Sequence, residues 1–347
     1  MHAFFVFGSA NFQDLLPVLF ESLKQKESSW LCFFDCFSKK RQLASYTKEE
    51  VENFIYEKCD ELCYKRPAID FFRVDEKSRY ESLYDSYLPS HVFVQEINPK
   101  YPIWYPRADK SKVIHFAWWD ESKHLNNPLI SVDVSILKRA EDIKYGYEKY
   151  NTAYFGNLRL DHLKYASKKT RKKRCFIPET YLRMSSKYRN DSMQIVDFID
   201  NLIPFLRKNE FEIVWKKREK GFPAENWASP LDFCNEKPDI IIEKDLNFPS
   251  SLVGFAYDSD ICMVINDCFA FFDMVTVNTN CCILTTHGGR KHKIDDFFIE
   301  DYSDEIIDMK NENGWNLLSE RLARTNKFVY STSNISGEIL NYVRNIK

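Results

Sequence analysis

The stretch Phe5–Lys26, FVFGSANFQDLLPVLFESLKQK, decides how the rest of the chain is read. An apolar run stops at Gly8, and Gly8-Ser9-Ala10-Asn11 reads as a turn. Leu15, Leu16, Val18, Leu19 and Leu23 then return at helical spacing, with Pro17 early in the helix. Strand, short turn and helix make the opening βα unit of a parallel sheet. A glycine in such a turn lets backbone come close to a ligand, and a helix N-terminus offers unpaired N–H groups to an anion. The same residues also suffice for a plain chain reversal. One glycine does not decide between the two, and the GxGxxG pattern is absent.

Working outward, the rhythm repeats. Ala3–Phe7, Ser29–Phe34, Ala68–Phe72, His91–Val94, Val113–Phe116 and Leu129–Val134 read as strands. Asp14–Lys24, Lys48–Glu61 and Glu76–Tyr87 read as helices between them. In the second half DSMQIVDFIDNLIPFLRKN is amphipathic, with Ile195, Phe198, Ile199, Leu202, Ile203 and Leu206 on one face. FEIVW, DIIIE, ICMVI and CCILTT follow as strands, with helices in NFPSSLVGFAYDSD and DCFAFFDMVTVN. The expectation is an α/β protein of two Rossmann-like domains, 1–165 and 166–347, facing across a cleft. The passage between them is KYASKKTRKKRCFIPE, Lys164–Glu179, which holds seven Lys or Arg and no acid before Glu179. Its basic core, 168–174, is either a solvated connector or a contact for an anionic membrane surface or polyanion.

Composition narrows the classes. At 347 residues the chain has room for two domains of ~100–200 residues. A net charge of −2 argues against a general nucleic-acid binder, which would show a basic balance or face. The ten cysteines lie largely in apolar runs with no CxxC pair, so they read as small buried residues in a reducing compartment rather than as disulfides or zinc ligands. No basic n-region with a cleavage site opens the chain, and no run of 18 apolar residues occurs. The expected location is cytoplasmic, or peripheral at the inner face of a membrane.

Three stretches carry a resemblance to a known group: GSANFQDLLPVLFESL after the first strand, AYFGNLRLDHL (Ala153–Leu163) at the close of the first half, and YDSDICMVINDCFAFFDMVTVNTNCCIL (Tyr257–Leu284). Their order and spacing resemble the GT-B glycosyltransferase superfamily, and within it the relatives of UDP-N-acetylglucosamine 2-epimerase, Kdo transferases and CDP-glycerol glycerophosphotransferases. The resemblance implies an acceptor site in the first domain, a nucleotide-sugar donor site in the second and a C-terminal helix able to cross back to the first. It also implies that Gly8, Ser9 and Asn11 face the acceptor.

VIHFAWWDESKH (Val113–His124) runs a strand into His115, Asp120 and Glu121. Glycosyl transfer needs a base for the acceptor hydroxyl, and these residues are the candidates. Trp118 and Trp119 could stack on a sugar. VWKKREKGF places Lys216, Lys217 and Arg218 after a strand, where side chains and a helix end could neutralise a leaving diphosphate without a metal. Ser250 and Ser251 open an apolar helix, which capping alone explains, while the resemblance puts them against the nucleotide. Asn266 and Asp267 open the next helix, where relatives contact donor phosphate. Asp267 departs from the pattern, because an acid repels a phosphate. Asp273 matches an acidic position that holds a ribose or sugar hydroxyl in the resembling group. HExxH, GxSxG, the P-loop and a metal-binding DxD are missing.

These readings lead to a glycosyltransferase that moves a sugar from a nucleotide donor to a glycan or lipid-linked glycan, with inversion and without a cofactor. The resemblance implies a role in bacterial surface polysaccharide synthesis. An epimerase-like or glycerophosphate-transferring enzyme of the same fold, or a non-catalytic polyanion-binding relative, stays open beside it.

Overall fold

The computed structural model describes residues 1–6, 9–35, 47–73, 75–95, 110–117, 125, 131–138, 140–165, 172–180, 182–217, 227–243, 250–266, 270–286, 302–324 and 334–346. The chain divides into two compact units. The first is Met1–Asp161 together with Thr332–Lys347, and the second is His162–Ser331. The first boundary falls four residues before the expected 165, and the second unit ends at 331, because the last helix belongs to the first unit.

In the first unit seven strands lie in one sheet: β1 (His2–Val6), β2 (Ser29–Asp35), β3 (Ala68–Arg73), β4 (His91–Val94), β5 (Lys112–Ala117), β6 (Val134–Leu137) and β7 (Thr152–Ala153). Their order is β3-β2-β1-β4-β5-β6-β7, all parallel. Among the described residues the α-helices of this half are α1 (Ser9–Lys24), α2 (Lys48–Glu61) and α3 (Lys77–Tyr87). α1 begins five residues earlier than its apolar periodicity suggests, and its described side chains from Phe12 to Leu23 are all buried. A helix covered on every side lies inside the fold, and its polar Gln13, Asp14, Glu21 and Ser22 are buried with the apolar residues. α2 starts at a capping box, in which the Thr47 hydroxyl accepts from Glu50 N and the Glu50 carboxylate accepts from Thr47 N.

The last strand of this half was expected at Leu129–Val134. Residues 129–130 lie outside the described residues, and the strand starts only at Val134. Asp133 is the cause: its carboxylate accepts from Val113 N at 2.7 Å and pairs with Lys112, so it anchors the strand entry.

The second unit has six parallel strands: β8 (Arg174–Pro178), β10 (Glu212–Lys216), β12 (Ile240–Ile242), β13 (Ile261–Ile265), β14 (Cys281–Thr285) and β15 (Ile306–Asp308). They are ordered β12-β10-β8-β13-β14-β15. The short strands β9 (Leu182–Arg183) and β11 (Trp227–Ala228) pair antiparallel apart from it. Helices α4 (Arg189–Lys208), α5 (Ser251–Asp258), α6 (Ala270–Val275) and α7 (Gly314–Leu322) belong to this unit, and α8 (Ile335–Arg344) returns to the first. α4 buries Ile195, Val196, Ile199, Leu202, Ile203 and Leu206 in a core shared with Ile177, Trp215 and Met263.

The end of the segment expected as a connector is β8, a fully buried central strand. Within the basic segment, Arg174 bonds Glu212 and Asp258, Lys172 bonds Glu212 at 3.0 Å, and Lys173 lies over the Phe211 ring. Of the described end of that segment, Arg174 is buried and paired with acids while Lys172 and Lys173 are exposed, and 168–171 lie outside the described residues. Of the eight described cysteines all are free and only Cys63 is exposed. Among the described residues no helix is long and apolar enough to cross a membrane.

Candidate functional site

Doubly wound sheets bind ligands beyond the carboxyl ends of their strands, where the strand order reverses. In the second unit that place lies between β8 and β13. The residues following the strands form one row along this edge: Glu243, Lys217, Glu179, Asn266, Thr286 and Met309, in sheet order. Lys216 closes β10 and is half-buried. The Lys217 ammonium donates to Glu243 Oε1 at 3.0 Å, which raises it above the ordinary lysine value. Asn266 sits in the left-handed region at φ 57°. Its amide oxygen accepts from Thr286 N at 2.8 Å and its amide nitrogen donates to the Thr286 hydroxyl at 3.0 Å. The side chain expected to meet a phosphate thus braces the turn after β13 against the loop after β14.

α5 leads into β13, so its N-terminus lies at this same edge. Ser250 precedes it and is fully buried. Its backbone N–H donates to His162 Nδ1 at 3.0 Å, while its hydroxyl has no hydrogen-bond partner among the described residues. Ser251 is the first residue of α5. α6 follows β13, and Asp273, in its first turn, is buried. Glu179, which follows β8, is a further residue of this edge. It is buried, and Oε2 accepts from the Trp215 indole N–H at 3.0 Å and from the Ser229 hydroxyl at 2.8 Å. Its signal was visible as the first acid after the basic run. Among the described residues no group of three or more His, Cys, Asp or Glu could hold a metal.

In the first unit the corresponding place lies between β1 and β4. Ser9 opens α1 and Asn11 lies in its first turn, both at the carboxyl end of β1. His115 is corrected from a candidate base to a core residue. It is fully buried within β5; Nε2 donates to the Gln95 carbonyl at 3.1 Å, which leaves Nδ1 to accept from the Ser135 hydroxyl at 3.2 Å. Burial pushes its pKa down to about 3. A neutral ring with its N–H on the Gln95 carbonyl and its lone pair on the Ser135 hydroxyl has both nitrogens already committed. Beside it the fold assembles polar groups distant in sequence. Asp14 on α1 bonds both the Gln95 amide and Arg159, all three buried. The signals were an acid inside the apolar face of the first helix and an arginine within GNLRL.

No protein-family model matches the sequence, and no curated protein matches it by sequence. Solved structures do match over the whole length. A Staphylococcus aureus MnaA structure with UDP has 12% identity and a TM-score of 0.55, covering 99% of this chain and 96% of that one. A UDP-N-acetylglucosamine 2-epimerase shares 10% identity with a TM-score of 0.57, covering 98% and 94%. The enzyme of that name from Rickettsia bellii shares 13% with a TM-score of 0.52, covering 100% and 97%. The chain has the GT-B fold. Its two GT-B halves are the two parallel sheets described above. Within the second half the fold brings Lys216, Lys217, Ser250, Ser251, Asn266 and Asp273 to one edge and the helices beginning there. Gly8, Trp118, Trp119, Asp120, Glu121, Arg218 and Asp267 lie outside the described residues.

Proposed function

We propose that this GT-B chain is a glycosyltransferase that binds a nucleotide-activated sugar at the carboxyl edge of the second sheet. The buried Ser250 hydroxyl carries this reading. An unpaired buried hydroxyl costs about 1–3 kcal/mol, and a bound nucleotide would supply its partner. Asp273, one turn into α6, would hold a ribose or sugar hydroxyl. Lys216 and Arg218 would neutralise the leaving diphosphate, with Lys217 available once it releases Glu243. The acceptor, a glycan or lipid-linked glycan, would bind the first unit near Ser9 and Asn11, with Gly8 in the turn. With His115 removed, Asp120 and Glu121 remain as bases. One of them would take the proton as the acceptor oxygen attacks the anomeric carbon and the bond to the diphosphate breaks. The reaction so written needs no cofactor or metal and inverts the anomeric centre. Synthesis of a bacterial surface polysaccharide at the cytoplasmic face of a membrane fits such a reaction. Nucleic acid has no part in it.

A second reading, epimerisation of the sugar while it stays on its nucleotide, is favoured by the whole-length likeness to 2-epimerases. Thermal-shift screening against CMP, CDP, UDP, GDP and their sugar conjugates tests both. A ligand at a hundredfold excess over Kd contributes ~2.7 kcal/mol of stability. A selective shift lost in Asp273→Ala supports nucleotide-sugar binding; no shift with any of them overturns both readings. NMR of the incubated donor then separates them, since a new nucleotide-sugar without added acceptor means epimerisation. Release of free nucleotide that depends on acceptor means transfer.

A further inference from the structure

α8 is held to the first unit along its whole length. At its start the Asp161 carboxylate accepts from Ser336 N at 2.6 Å, from Ile335 N at 3.3 Å and from the Ser336 hydroxyl. Ile335, Ile339, Leu340 and Val343 are buried along its inner face. At its end the attachment is polar. His91 Nε2 donates to the Val343 carbonyl at 3.1 Å, and the Arg344 guanidinium reaches Gln25 at 2.6 Å and Glu27 at 3.0 Å.

His91 does not stand alone. It is the register partner of His2 on β1, and the two rings meet edge to face with centroids 5.3 Å apart. His2 is buried, with Nδ1 2.9 Å from the Ser22 hydroxyl of α1, which in turn meets Ser29. His91 Nδ1 lies 3.0 Å from the Ser90 hydroxyl. The charged groups around the pair come from several directions. Arg344 acts on both rings, and Glu27, which precedes β2, pairs with Arg344 and opposes the lowering at His91. β5 sets Lys112 beside His91, with its ammonium on Asp133. Glu21 of α1 is committed to Lys24 and Gln25. Arg344 thus stands beside two imidazoles in contact, with Glu27 as its counter-charge. A proton on either ring adds a like charge where little water can screen it.

We propose that the His2–His91 pair makes docking of the carboxyl end of α8 pH-sensitive: neutral rings hold it, and protonation releases it. The direction is consistent with the rings' chemistry. Burial, His91 and Arg344 bring His2 down to about 3; burial also lowers His91, opposed in part by its bond to Val343. Groups whose folded pKa lies below the unfolded 6.5 stabilise fully above that pH and lose the contribution as pH falls through the folded value. Release therefore belongs below pH 6.5.

Hydrogen exchange on the full chain at pH 7.5 and pH 5.0, corrected for intrinsic rates, reads this out. Protection of the amides at the end of α8 should fall about tenfold or more at the lower pH, while α4 in the second unit changes little. His91→Gln keeps a donor for Val343 but takes no proton, and should abolish most of that fall. No local loss in the unmodified chain, or the same loss in His91→Gln, overturns the proposal. Should His91→Gln fail to fold, Arg344→Gln on the exposed side removes one cation from the pair and should shrink the pH 7.5 to pH 5.0 ratio. An unchanged ratio there also overturns it.

Discussion

Ser250 separates stability from binding in a single hydroxyl. Because the group is buried without a partner, Ser250→Ala should leave the unliganded protein as stable or up to about 1 kcal/mol more stable. In the same variant, nucleotide affinity should fall at least about fivefold, the loss of one ordinary hydrogen bond. Calorimetric melting and titration calorimetry check the two halves. A variant that melts lower and binds normally would return Ser250 to plain helix capping. His115 supplies a second test. Its folded pKa, near 3, lies well below the unfolded 6.5, so its contribution is present above pH 6.5 and drains away as the solution is acidified. The urea midpoint should drop between pH 7.5 and pH 5.0, and His115→Asn, though less stable at neutral pH, should show a smaller drop. At this scale the sequence was least transparent. A histidine after two apolar residues looks the same whether it ends a strand at the surface or lies inside the sheet, and only the register with Ser135 and Gln95 distinguishes them. Asp14 and Arg159 are 145 positions apart, so nothing local announces that they meet. The bond of Asn266 to Thr286 depends on the neighbouring strand, so nothing around Asn266 in the sequence announces it.

At the level of elements, β8 depends on one arginine. Arg174 is buried and bonds two acids, Glu212 at 2.6 Å and Asp258. Removing one partner of a buried ionic group costs about 3–5 kcal/mol because charge is left uncompensated, so Arg174→Met should lower the urea midpoint severely. Arg174→Met combined with Glu212→Gln and Asp258→Asn should recover part of the loss, and a fully additive triple variant would deny the network. The start of α8 depends on Asp161 in a similar way. Asp161→Ala should cost about 1–2 kcal/mol, the range for an N-terminal cap, while Asp161→Asn keeps an acceptor and should cost less. Elements with periodic sequence were legible: α2 occupies Lys48–Glu61 as its spacing indicates, and α4 shows the expected face. β8 was not, since a five-residue strand buried on both sides has no alternation, and its flanking lysines imitate a connector.

For the whole molecule, alternation of strands and helices was enough to read two doubly wound sheets. The turn after β1 alone would not have been. Where the last helix belongs could not be read from its own sequence, because an amphipathic helix states that it needs a partner and not which one. Four apolar side chains of α8 are buried, each worth about 1.5–3 kcal/mol. Their sum rivals the ~5–15 kcal/mol that holds a typical domain. A fragment of residues 162–331 should therefore unfold cooperatively by itself, while 1–161 should not unless a 332–347 peptide is added. Circular dichroism melts of the two fragments decide this, and a cooperative transition in 1–161 alone would show that α8 is dispensable.

The return of α8 also imposes a schedule on synthesis. The ribosome delivers all of the first unit's strands early but its closing helix last, with the second unit made in between. The second unit is thus free to fold while the first still waits, its apolar helix seat uncovered for the time needed to translate 170 or so further residues at ~5–20 per second. During that interval the nascent chain presents a surface that a chaperone would hold, and a premature stop after residue 331 would leave it exposed permanently.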